Sequence, residues 1–174
     1  GLVNHQQLAT VKQNFTAFKQ VHQSARGCDQ NINAFFERLD LIAHLHTAKI
    51  TTLGDYAEGQ MVNVERAAKD GAEIGGHPLS GHVDFFAVID TVTVMDGNKV
   101  IRFSVPPEFM RYIFAKGYIA INGCSLTISD ASRAENWFEV WLIPETRRMT
   151  TFEEKKAGDR LNIEIERSTQ VVVD

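Results

Sequence analysis

Thr51-Thr52-Leu53-Gly54-Asp55-Tyr56-Ala57-Glu58-Gly59-Gln60-Met61-Val62-Asn63-Val64-Glu65 lies, without a gap, over Thr150-Thr151-Phe152-Glu153-Glu154-Lys155-Lys156-Ala157-Gly158-Asp159-Arg160-Leu161-Asn162-Ile163-Glu164. Both copies keep the Thr-Thr pair, one glycine, the asparagine and the closing glutamate, and three further positions exchange one apolar residue for another. That many matches in one register, at an offset of 99 residues, point to duplication of a single unit. The copies end in runs that alternate as half-buried strands do, Met61 to Arg66 and Leu161 to Ile165, so the unit is a β domain. The boundary falls near Gly75, which divides the chain into residues 1–75 and 76–174. The first copy then has 75 residues against 99, so it is either a trimmed barrel or incomplete as given, with the loss before Ala34.

The rest of the chain agrees with a β-dominated fold. Leu79 to Val94 and Val100 to Val105 read as long strands joined at Asp96-Gly97-Asn98, a strong hairpin signal. Pro106-Pro107 opens a predicted helix over Glu108 to Lys116, with Gly117 at its exit. Tyr118 to Ser129 and Trp137 to Ile143 are further strand candidates. Leu8, Val11, Phe15, Phe18 and Val21 recur at helical intervals, although residues 1–30 are otherwise hard to read.

Composition excludes several classes. A hydrophobic fraction of 44% and a charged fraction of 23% over 174 residues are those of a soluble globular protein. No apolar run approaches the roughly 20 residues that span a membrane, and no signal peptide is visible at Gly1-Leu2-Val3. A net charge of −4 argues against nucleic-acid binding. Cys28 and Cys124 could form one disulfide at most, and a cytoplasmic setting is expected.

Proton chemistry concentrates in Glu73-Ile74-Gly75-Gly76-His77-Pro78-Leu79-Ser80-Gly81-His82-Val83-Asp84. Glycine lets the backbone approach a ligand closely, and imidazole can give or take a proton near neutral pH. The same stretch also reads as a Gly-rich turn with two surface histidines. A second constellation is Asn122-Gly123-Cys124-Ser125-Leu126-Thr127, where Ser125 and Thr127 at i and i+2 share one face of a strand. Two hydroxyls there suit a polyhydroxylated or heteroaromatic ligand, or else form a solvent-facing polar stripe. Ile143-Pro144-Glu145-Thr146-Arg147-Arg148 gathers acid, hydroxyl and guanidinium after a strand end, as surface loops often do. Ser80 lacks the first glycine of a hydrolase elbow. His77 and His82 are not arranged with further ligands as a zinc set, and Gly75-Gly76 leads into a strand, not the helix of a phosphate loop.

Taken together, Asn63 to Ala67, Gly75 to Asp84, Lys116-Gly117-Tyr118-Ile119, Asn122 to Thr127, Ile143-Pro144-Glu145-Thr146 and Asn162 to Ile165 resemble the riboflavin synthase family in order and spacing. The resemblance runs from about Thr51 to Asp174. It implies an all-β protein of two tandem Greek-key six-stranded β-barrels with short helices. It also implies a dismutation in which two molecules of 6,7-dimethyl-8-ribityllumazine exchange a four-carbon unit, with no metal or cofactor. Carried over by position, Ser125, Leu126, Thr127 and Lys116 line the second domain's lumazine site, Gly81 and Val83 supply wall, and Ile143 to Arg148 lie near the ribityl chain. His82 is the expected general acid/base, Ser125 the proton relay or transient nucleophile, and His77 a positioning histidine. Glu166 stands where the family usually carries an aspartate.

The first half departs from the family. Gly1-Leu2-Val3 could be the remnant of its first strand, without the ring-stacking aromatic. Gly27-Cys28 is followed by Asp29-Gln30-Asn31, so the paired hydroxyl face is missing there, and Asp40-Leu41-Ile42 sits where a ligand-contacting strand end would. The chain stops at Asp174, where the family continues into a helix joining three subunits. The resemblance implies a homotrimer whose site lies between the first barrel of one subunit and the second of its neighbour, and it raises association with lumazine synthase. The alternatives are a non-catalytic lumazine- or flavin-binding relative of antenna type and a plain β-barrel interaction module.

Overall fold

In the computed structural model, which describes residues 47–57, 60–64, 71 and 73–174, six antiparallel strands close into a barrel. The strands are β1 (Phe85–Met95), β2 (Asn98–Ser104), β3 (Tyr118–Ile121), β4 (Cys124–Ser132), β5 (Trp137–Leu142) and β6 (Arg160–Ile165). Their order around the barrel is β1-β2-β5-β4-β3-β6. Strands β3, β4 and β5 are successive neighbours and β2 lies beside β5, which is a Greek key. The described residues fall into two compact units, one ending at Gln60 and one running from Met61 to Asp174. The barrel belongs to the second.

Local sequence explains the turns. Asp96 and Gly97 take φ of 50° and 80°, and Asn122 and Gly123 take 46° and 75°. Two successive positive φ values match the right-handed twist of a hairpin, and Asp-Gly and Asn-Gly tolerate them best. The long run predicted from Tyr118 is therefore two strands, β3 and β4, folded back at Asn122-Gly123.

Alternation fills the interior. Phe85, Ala87 and Ile89 on β1, Ile101 and Phe103 on β2, Ile119 and Ile121 on β3, Phe138, Val140 and Leu142 on β5, and Leu161, Ile163 and Ile165 on β6 form one buried cluster. Each large side chain so buried contributes about 1.5–3 kcal/mol. Phe103 and Phe138 stack across the β2–β5 seam with ring centroids 5.0 Å apart. The register slips at Asp90 on β1 and at Ser129 on β4. Such bulges sharpen twist and bend, which helps a six-stranded sheet close.

Two predicted elements change type or length. The helix expected over Glu108 to Lys116 is a 3-10 helix, Pro107–Tyr112. Met110 and Ile113 are both buried, and three-residue spacing matches the three residues per turn of that helix. The strand expected from Leu79 begins only at Phe85, because residues 77–81 are held by side chains across the sheet instead.

Beyond β5 the chain forms α1 (Pro144–Met149) and a 3-10 helix, Thr151–Glu154, and after β6 it forms α2 (Arg167–Val173). Buried Lys99 donates to the carbonyls of Phe152, Glu153 and Lys155 at 2.9, 2.7 and 2.9 Å, fixing the 3-10 turn that begins at Thr151 to β2. Burial lowers its pKa, opposed in part by Glu153.

The duplication has a local structural counterpart. Residues 47–50 are helical, Thr51 Oγ1 donates to the Thr47 carbonyl at 2.7 Å, and a 3-10 helix follows at Leu53–Asp55. In the second copy α1 ends alike: Thr150 Oγ1 donates to the Thr146 carbonyl at 2.6 Å and a 3-10 helix follows. The tandem first barrel expected over residues 1–75 lies mostly outside the described residues.

Candidate functional site

Ala120 on β3 is the cross-strand partner of Ser125 on β4 and of Glu164 on β6. Side chains alternate between faces, and the neighbours Ile119, Ile121, Ile163 and Ile165 point into the core. Ser125, Ala120 and Glu164 therefore form a row across the outer face of three strands. Ala120 is 1% exposed although it is outside the core. The chain that precedes β1 covers it.

That cover is a strap, residues 76–81, tied at both ends of the row. The His77 amide donates to Ser125 Oγ at 3.1 Å, and His77 Nδ1 lies 2.6 Å from the same oxygen. At the far end, the Ser80 amide and hydroxyl donate to Glu164 Oε1 at 2.6 and 2.8 Å, and the Gly81 amide donates to Oε2 at 2.9 Å. Gly76 takes φ of +117°, and a Cβ there would come within 2.7 Å of Ser125 Cβ and closer still to Oγ. Only glycine lets the strap approach β4 this closely.

His77 is 3% exposed, and its ring stacks on Tyr118 with centroids 5.3 Å apart and planes at 20°. Tyr118 in turn faces Thr127 across the β3–β4 ladder. Since Ser125 Oγ already accepts the His77 amide hydrogen, its own hydrogen is available to Nδ1. A hydroxyl paired with imidazole in this way can pass a proton or become a stronger nucleophile. Glu166, just after β6, accepts from Thr169 Oγ1 at 2.8 Å. Hydrogen bonds from Ser168 and Thr169, and the proximity of His77, hold its carboxyl below the usual range. Among the described residues no group of three or more His, Cys, Asp or Glu is arranged to hold a metal ion.

The lumazine binding domain model matches residues 80–166. The riboflavin synthase of Escherichia coli (strain K12) is 47% identical over 129 residues, covering 74% of this chain and 60% of that protein. The riboflavin synthase of Buchnera aphidicola subsp. Baizongia pistaciae (strain Bp) is 37% identical over 155 residues, 87% of this chain and 71% of the relative. The chain belongs to the riboflavin synthase family. It spans about 60% of the length of the Escherichia coli relative. The fold is shared with LumP, solved with 6,7-dimethyl-8-(1'-D-ribityl) lumazine (TM-score 0.60, 21% identity, 69% of this chain and 63% of that one). The complex of LumP with riboflavin superposes equally well (TM-score 0.61, 23% identity, 70% and 65% covered).

On this riboflavin synthase-family barrel, Ser125 and Thr127 share the outer face of β4, while Leu126 packs against the core. His77, not His82, meets the Ser125 hydroxyl. His82 is exposed, with Nδ1 3.2 Å from Ser80 Oγ and its carbonyl accepting from Arg167 Nη2 at 2.8 Å. Gly81 takes φ of +77° and Val83 is half-buried where the strap runs into β1. Lys116 is exposed and takes φ of +69° before β3. Ile143, 56% exposed, precedes α1, which begins at Pro144. The charges of α1 are engaged elsewhere: Arg148 with Glu145 at 2.7 Å, and Arg147 with Glu153 and the Gly97 carbonyl, both at 2.8 Å. The Thr146 carbonyl accepts from Thr150. Gly1, Leu2, Val3, Cys28 and Asp40 to Ile42 lie outside the described residues.

Two residues of the site escaped the sequence reading. Glu164 carried a signal, since a glutamate kept in both repeats on an alternating strand is a buried-carboxylate candidate. Tyr118 carried none beyond its place in the Lys-Gly-Tyr-Ile motif, because its contact with His77 depends on where the strap lies.

Proposed function

We propose that this chain is a riboflavin synthase, a transferase that dismutates two molecules of 6,7-dimethyl-8-ribityllumazine into riboflavin and 5-amino-6-ribitylamino-pyrimidinedione. The observation that carries this reading is the 2.6 Å contact of His77 Nδ1 with Ser125 Oγ, beside the exposed Tyr118 and Thr127, on a barrel of the riboflavin synthase family. The C7 methyl of the lumazine is acidic because its carbanion delocalises into the pteridine, so a hydroxyl–imidazole pair is base enough to take the proton. The carbanion then adds to a second lumazine, and four carbons move from one ring system to the other. One product gains what the other loses, and no oxidant is needed. Holding both rings in register supplies on the order of 7–11 kcal/mol of barrier lowering.

In this reading Thr127 and Tyr118 flank the ring, Gly81 and Val83 form wall, and His82 handles protons at the rim. Lys116 and residues 143–148 lie toward the ribityl chain, and the Glu166 carboxylate stabilises positive charge on His77. The first domain, residues 1–75 with Gly1-Leu2-Val3, presents the second lumazine, and a cytoplasmic homotrimer brings first and second barrels of different subunits together.

The test is incubation with 6,7-dimethyl-8-ribityllumazine while riboflavin fluorescence is followed. Turnover is expected, and Ser125→Ala and His77→Ala should each slow it on the order of 100-fold. Tight binding without turnover would assign a lumazine- or flavin-binding role instead. The absence of both binding and turnover would overturn the proposal.

A further inference from the structure

The geometry points to Glu164 as a positioning residue that acts through Ser80 to fix the tautomer of His82. It rests on the reading above only in giving His82 work to do. Glu164 is 7% exposed. Burying a carboxylate is costly unless hydrogen bonds replace its water, and the strap provides three, from the Ser80 amide, the Ser80 hydroxyl and the Gly81 amide.

The hydroxyl bond decides the rest. A serine hydroxyl has one hydrogen and two acceptor lone pairs. The hydrogen of Ser80 goes to Glu164 Oε1 at 2.8 Å. Arg167 Nε, which can only donate, lies 3.4 Å from Ser80 Oγ. His82 Nδ1, at 3.2 Å, meets the remaining lone pair. With its hydrogen committed to the carboxylate, Ser80 cannot donate to Nδ1 and must accept from it. Neutral His82 then carries its proton on Nδ1 and leaves Nε2 bare on the exposed side of the ring. A second bond at one ring nitrogen sets the role of the other. The Glu164–Ser80–His82 chain thus presents a proton acceptor at the rim of the strap, separate from the His77–Ser125 pair at its other end.

The decisive measurement is the nitrogen NMR signature of His82 in the whole chain, at a pH where the ring is neutral. The wild-type ring should be mainly the Nδ1–H form. Ser80→Ala keeps both amide bonds to Glu164, so the strap stays docked, and it should shift His82 toward Nε2–H. Glu164→Gln, whose amide group can reverse the Ser80 bond, should do the same. If wild-type His82 is already Nε2–H, or if Ser80→Ala leaves the tautomer unchanged, the inference is wrong. A kinetic cycle adds a second reading. Ser80→Ala should slow lumazine dismutation about tenfold in the wild-type background and less than twofold in His82→Ala, as expected for residues acting as one unit. Equal losses in both backgrounds would also refute the relay. Wild-type protein with the Nδ1–H form but no turnover or lumazine binding would sink the proposed function and leave this inference standing.

Discussion

Gly76→Ala isolates the strap from the barrel beneath it. The added methyl meets Ser125 within 2.7 Å at Cβ, on a backbone held at φ of +117°. Such a conformation costs an L-residue about 1–3 kcal/mol. Relieving the clash requires lifting the strap off β4, which breaks the two bonds between His77 and Ser125 Oγ, at 3.1 and 2.6 Å. Each is worth about 0.5–1 kcal/mol net. The total, about 2–5 kcal/mol, corresponds to roughly thirty-fold or more in the occupancy of the assembled site. The core cluster contains no residue of the strap, so the barrel itself need not yield. Lumazine affinity, followed by fluorescence titration, should fall at least thirty-fold, and exchange of the His77 amide should quicken by the same factor. The melting temperature should drop far less than the roughly 4–20 °C that the full penalty would produce in a chain of this size. An alanine variant with wild-type affinity and a protected His77 amide would refute the close approach on which the site depends.

Other perturbations test the scaffold and its charges. Lys99→Met should lower stability by about 2–4 kcal/mol in urea titration, because three carbonyls in the turn after Thr151 lose their donor. No change would mean that water replaces the ammonium. The Glu166 carboxyl titrates below its ordinary value of 4.5, through bonds from Ser168 and Thr169. The unfolded chain therefore binds that proton first, so Glu166 adds stability above pH 4.5 that is lost as pH falls through its folded pKa. Glu166→Gln should flatten that part of the acid limb, and an unaltered limb would show that the bonds do not form in solution.

Turns were legible because their chemistry is local. Asp96-Gly97 and Asn122-Gly123 announce positive φ by residue type alone, and the alternation of Leu161 to Ile165 announces a core-facing strand. The duplication was legible for a different reason, since two threonines and their 3-10 turns recur at one offset. What escaped depends on distance along the chain. Leu79 to Asp84 has the composition of a strand, yet Ser80 and Gly81 spend their donors on a carboxylate 83–84 residues away. His82 sits in the more conspicuous Gly-His-Val context, but His77 reaches Ser125, 48 residues on, through a register that no local pattern encodes. Residue types named both histidines, and the register of the sheet brings His77 to Ser125.

The strap also sets the order in which a working surface can appear. Ser80 and its carboxylate partner are 84 residues apart. At about 5–20 residues per second on the ribosome, the glycine-rich segment waits roughly 4–17 s for the strand that secures it. Until then His77 can meet Ser125, but the Ser80 end of the strap lacks its carboxylate partner. A nascent chain thus gains its full histidine arrangement only when β6 is in place, which delays proton chemistry until that strand has emerged.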